Sequence, residues 1–83
     1  MSELSPKSWN HTEVRCLAGS RANERPIAFL VDGSEIAIRA ILESWREPDF
    51  LYFRVETEDG RVFVLRHHEY KDFWQAREFG RRR

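Results

Sequence analysis

Short runs in which every second residue is apolar recur along the chain, and two of them double back on an Asp-Gly pair. Ile27, Phe29 and Val31 alternate before Asp32-Gly33, and Ile36 and Ile38 continue beyond it; Leu51, Phe53 and Val55 lead into Asp59-Gly60, and either Val62 and Val64 or Phe63 and Leu65 follow. A period of two places alternate side chains on one face of an extended chain, and glycine supplies the positive φ that tight hairpins need. The pattern predicts antiparallel β-hairpins.

The remaining segments extend that pattern. Thr12, Val14 and Cys16 alternate with Glu13, Arg15 and Leu17, which predicts a short edge strand with Cys16 as a core filler. Residues 18–24 are small and polar and read as a surface loop before Arg25-Pro26, with proline tolerated at the first position of a strand. Residues 34–45 carry two patterns. Ile38, Ile41, Leu42 and Trp45 follow the spacing of an amphipathic helix, whereas Ile36 and Ile38 continue the alternation across Asp32-Gly33, with a phase change at Ala40-Ile41 of the kind a β-bulge makes. The bent strand is the favoured reading. Glu47-Pro48-Asp49 predicts a turn and residues 50–57 the clearest strand, with Leu51, Phe53 and Val55 inward and Tyr52, Arg54 and Glu56 outward. Residues 61–66 return antiparallel, residues 67–72 form a polar connection with room for one helical turn near 68–72, and residues 73–78 close the sheet.

The expected architecture is therefore mainly β, a meander of about five strands curled into a partly open barrel of SH3-like or OB-like size, since closure protects strand edges. Residues 1–11 read as a flexible lead-in, 12–79 as one β domain and 80–83 as a basic tail; Trp9 either folds back over a core edge or serves as a contact residue.

Length and composition narrow the picture. A chain of 83 residues, 41% apolar and 34% charged, holds one domain and no separate substrate domain. Cys16 is the single cysteine, which excludes an internal disulfide and fits a reducing cytoplasm. No signal-peptide pattern opens the chain and no apolar run approaches the ~20 residues of a membrane span, so no membrane partner is expected. Net charge is zero, but unevenly distributed: residues 1–60 hold seven Lys/Arg against eleven Asp/Glu, a balance of −4, and residues 61–83 hold seven against three, a balance of +4. Such asymmetry marks either an anion-facing end or a solubilising tail.

Catalytic chemistry finds little support. His67-His68-Glu69, with His11 elsewhere, is the one conceivable metal cluster, and adjacent histidines on an extended chain point apart, leaving His67 and Glu69 on one face. Cys16 lies in a predicted strand, Ser20 and Ser34 lack a nucleophile context, Glu56, Glu58 and Asp59 gather at a hairpin tip, and Gly33 and Gly60 are turn residues rather than a phosphate cradle. No cofactor, metal or small-molecule substrate is expected; a small enzyme with a His/Glu site is the competing reading. A binding face is the stronger candidate: Tyr52, Arg54, Arg66, Tyr70, Lys71, Trp74 and Arg77, rings interleaved with cations on a β surface. That composition suits protein hot spots and single-stranded nucleic acid alike. The plain structural alternative has Trp74 and Tyr70 closing the barrel end while the arginines keep it soluble.

The sequence Arg25-Pro26-Ile-Ala-Phe29, Asp32-Gly33, Ile38, Ile41-Leu42-Glu-Ser-Trp45-Arg46-Glu47-Pro48, Phe53-Arg54-Val55, Asp59-Gly60, Val62-Phe63-Val64-Leu65 and Trp74 resembles, over residues 25–78, a family of small uncharacterised bacterial β domains, some encoded near Y-family DNA polymerase homologues. The resemblance implies an accessory of DNA transactions and brings no residue roles with it. Combined with zero net charge, which supplies little counterion release, the expectation is a cytoplasmic, non-catalytic module that binds a protein partner or a second copy of itself, with nucleic acid as the alternative ligand.

Overall fold

The structure, a computed structural model, describes residues 8–17 and 25–81; the expected loop 18–24, most of the lead-in and the last two arginines lie outside the described residues. Among the described residues seven strands form: β1 (Asn10–Thr12), β2 (Val14–Cys16), β3 (Pro26–Val31), β4 (Ser34–Glu47), β5 (Phe50–Thr57), β6 (Arg61–His68) and β7 (Phe73–Arg81). All pairings are antiparallel, in the order β1-β7-β6-β5-β4-β3-β2. No helix is present among the described residues, and so none long and apolar enough to cross a membrane.

The turns form where the sequence asks for them. Asp32 and Gly33 both sit at positive φ, 50° and 81°, the combination that matches the twist of a two-residue hairpin, and Val31 faces Ser34 across it. At the second Asp-Gly pair the Gly60 amide donates to the Thr57 carbonyl at 3.0 Å, and Gly60 takes the left-handed position, φ 87°. Pro48 and Asp49 (φ 75°) make a two-residue turn that sets Glu47 opposite Phe50. Between β6 and β7 the expected helical turn is a single i→i+4 bond, Asp72 amide to His68 carbonyl at 2.7 Å, with Asp72 at φ 58° ending it.

The segment that also carries a helical pattern is one long strand. β4 pairs with β3 through residues 34–37 and with β5 through residues 38–47, and its register slips between Ile38 and Ala40 and again between Ile41 and Glu43. Arg39 and Leu42 are the inserted residues. Each insertion turns a spacing of two into three, so Ile38, Ile41 and Ser44 all face Thr57, Val55 and Phe53 on the inner side. The helix-like spacing is thus the signature of two bulges.

The sheet curls until its two ends meet on one stretch of chain. β1 pairs with β7 and β2 with β3, and only Glu13 lies between them. At this junction the Leu30 amide donates to the Glu13 carbonyl at 3.1 Å, and the Thr12 hydroxyl donates to the Leu30 carbonyl at 2.7 Å. The two ends engage only in part: β1 covers residues 74–76 of β7, while β2 pairs with β3 alone among the described strands. The barrel stays partly open because, among the described strands, β4 beyond residue 38 and β7 beyond Ala76 have a neighbour on one side only. The strand limits also move the expected boundaries: Asn10 and His11 belong to β1 rather than to a lead-in, and Gly80 and Arg81 pair with Val62 and Arg61 rather than fraying.

Inside lie Phe29, Phe53, Val55, Phe63, Leu65, Trp74 and Ala76, ringed by Val14, Cys16, Val31, Ile38, Ile41 and Leu51. Phe29 meets Phe63 edge to face at 5.0 Å and Phe53 stacks on Trp74 at 6.0 Å. Of the two alternations open after Asp59-Gly60, Phe63 and Leu65 turn inward. Val62 and Val64 lie on the outer face and are nevertheless buried, under the longer side chains that surround them.

Candidate binding groove

The outer face of β4–β7 is assembled by register. The Pro48-Asp49 turn sets Trp45 beside Tyr52, which faces Arg66, which faces Gln75; one step along, Glu43, Arg54, Val64 and Arg77 form a parallel row. Over these rows lies a groove of about 470 Å³, to whose lining Trp9 and Phe79 also contribute.

Six of the chain's eleven rings belong to this outward face: Trp9, Trp45, Phe50, Tyr52, Phe73 and Phe79. Trp45 and Tyr52 stack with centroids 5.0 Å apart and planes 6° from parallel. Trp9 meets Tyr52 edge-on at 6.3 Å. Phe50, His68 and Phe73 extend the cluster, His68 stacking on Phe73 at 5.0 Å.

Three guanidinium groups are threaded among the rings. Arg66 is clasped between Trp9 (4.1 Å) and Phe50 (4.3 Å), and its Nε donates to Gln75 Oε1 at 2.8 Å. Arg54 lies over Phe79 at 5.4 Å and donates to both carboxylate oxygens of Glu43 at 3.2 Å. Arg77 lies 5.3 Å from the Trp9 ring, and its buried Nε has no hydrogen-bond partner among the described residues. Against these three cations Glu43 is, among the described residues, the groove's one lining anion. Such a surface suits a flat or apolar group that carries negative charge close by.

Four of the seven expected face residues therefore meet: Tyr52, Arg54, Arg66 and Arg77. Trp74 does not. It faces inward, 9% exposed, stacked on Phe53 and, at 4.5 Å, on His67. The reason is parity, because residues 74 and 77 are an odd number apart on one strand and point to opposite faces. Tyr70 (90% exposed) and Lys71 sit on the β6–β7 turn, outside the groove lining. Trp9, for which a contact role was one of two expectations, and Glu43, Trp45, Val64 and Phe79, which were not among the expected face residues, complete the groove. Trp45 was legible, since a two-residue turn at Pro48-Asp49 places it opposite Tyr52.

The histidines part company. His67 turns inward with Nε2 2.8 Å from Asp72 Oδ1, while His68 turns outward and its Nδ1 accepts the Lys71 amide at 3.1 Å. Glu69 is paired with Arg46 rather than with His67, and Glu56 lies opposite Val62 toward the other end of β5. Among the described residues no three His, Cys, Asp or Glu side chains are grouped so as to hold a metal ion. At the β5–β6 tip the Asp59 carboxyl is lowered from 3.8 to about 2, first by the Thr57 hydroxyl and then by the Arg61 side chain.

Compared with known proteins, the chain matches no family model, no curated protein and no solved structure.

Proposed function

We propose that this protein is a non-catalytic interaction module that seats an acidic segment of a partner protein in the groove of its outer face. The observation that carries this reading is the division of the rings, six outward in company with three arginines, where a domain of this size would gain more stability by burying them. Trp, Tyr and Arg are the residues that dominate protein–protein hot spots, and zero net charge keeps the molecule from adhering to polyanions at large. The test is a titration of isotope-labelled protein with an acidic ten-residue peptide containing phenylalanine. Backbone shifts confined to Tyr52, Arg54, Arg66 and Arg77 support the reading; no shifts at millimolar peptide reject it.

A second reading, single-stranded nucleic acid, is favoured by the same interleaving of rings and guanidinium groups. Salt separates the two. If three arginines each neutralise one phosphate, affinity for an oligothymidylate falls about 20-fold between 50 and 200 mM salt. A peptide held mainly by ring contacts loses much less. Light scattering of concentrated protein adds a third outcome, in which the partner is a second copy.

A further inference from the structure

Trp9 is placed unlike the other groove residues. It precedes β1, belongs to no strand, and reaches the groove from the side. Its ring contacts there are the guanidinium groups of Arg66 at 4.1 Å and Arg77 at 5.3 Å and the edge of Tyr52 at 6.3 Å. None of these is a ladder bond, so the indole can leave without unpairing the sheet. Beneath it the Arg77 Nε is buried and lacks an acceptor among the described residues, a cost that an indole face cannot relieve because it offers no oxygen.

We infer that Trp9 is a resident stand-in for the natural occupant, and that the groove is built for an aromatic side chain with a carboxylate beside it, supplied by a partner that displaces Trp9. The inference rests on the protein-binding reading above and adds both the chemistry of the anchor and an internal competitor. The ring of the partner would occupy the clasp of Arg66 and Tyr52, and its neighbouring carboxylate would accept from Arg77 Nε, satisfying the donor that Trp9 leaves open. Three arginines against Glu43 favour an acidic over a basic flank.

Competition has a sign that a merely structural cover does not. If Trp9 occupies the site, Trp9→Ala binds a capped peptide Asp-Glu-Trp-Glu-Asp about five- to tenfold more tightly than wild type, the worth of two exposed cation–π contacts released for the ligand. Trp9→Leu, which keeps apolar cover but offers no π face, tightens binding less, and it guards against a folding defect in the alanine variant. The same peptide with alanine for tryptophan binds both variants several-fold more weakly. The readout is a titration followed by the amide and Arg Nε resonances of Tyr52, Arg66 and Arg77. Equal or weaker binding by folded Trp9→Ala and Trp9→Leu overturns the inference. Equal binding of the tryptophan and alanine peptides also overturns it, while leaving the acidic-segment reading standing. Failure of both peptides with all three proteins, alongside groove binding of oligothymidylate, overturns the protein-binding reading itself.

Discussion

Alanine at Phe53 or at its neighbour Tyr52 separates the two faces of a single strand. Phe53 is 5% exposed and stacks on Trp74 with centroids 6.0 Å apart; removing a ring so enclosed costs about 3–5 kcal/mol in lost transfer free energy and unfilled cavity. A domain of 83 residues is stable by roughly 4–12 kcal/mol in all, so Phe53→Ala removes a large fraction of the total. Tyr52 is half-buried and leans on Trp45 across 5.0 Å. Its truncation forfeits a surface ring pair worth about 0.5–1.5 kcal/mol and opens no internal void. Taking about 6 °C per kcal/mol for a domain of this size, Phe53→Ala lowers Tm by ~18–30 °C and Tyr52→Ala by ~3–9 °C. Far-UV circular dichroism during urea and thermal unfolding reads both, and an unchanged urea slope shows that the native fold persists. Equal losses, or a larger loss at Tyr52, would refute the assignment of inner and outer faces.

Two further outcomes follow from single contacts. Asp59 is depressed to about 2 in the folded state from 3.8, so the unfolded chain takes up its proton first; the stabilisation is full above the unfolded value and disappears as pH falls through about 2. Asp59→Asn should therefore flatten the decline of Tm between those two values and leave its slope near neutral pH unchanged. Thr12→Val keeps side-chain volume but deletes the donor to the Leu30 carbonyl at the barrel junction, costing about 1–3 kcal/mol. Hydrogen exchange should then quicken at the Leu30 amide, which donates to Glu13, more than at Val55; unchanged Leu30 protection would show that the junction does not depend on this hydroxyl.

Much of the fold is written in local pattern. The Asp32-Gly33 and Asp59-Gly60 pairs and the alternation of Leu51, Phe53 and Val55 specify hairpins because turn geometry and side-chain direction are short-range properties. β4 was legible as a strand with a phase change, although the two insertions at Arg39 and Leu42 blurred the reading. The groove was half legible. Tyr52 and Arg54 lie on a strand whose opposite face is plainly apolar, so their direction follows. β7 has no such contrast: Trp74, Ala76 and Glu78 on one side and Phe73, Gln75 and Arg77 on the other are equally mixed, and hydrophobicity alone does not choose between them. For Trp9 the sequence left two alternatives, core cover or contact residue, because its place is set by cation–π contacts with residues distant in sequence.

The junction at Glu13 bears on how the molecule assembles. The first strand must find the last: Asn10 pairs with Ala76, sixty-six positions further along. Closing a chain of that length costs about 4 kcal/mol beyond the constant common to all loops, and nothing repays it until β7 already presents an edge on which residues 10–12 can lie. The five-strand meander should thus form early through its local hairpins, with β1 docking last as the rate-limiting event. During synthesis β2 can pair as soon as β3 has been made, whereas β1 must wait until Ala76 has been made.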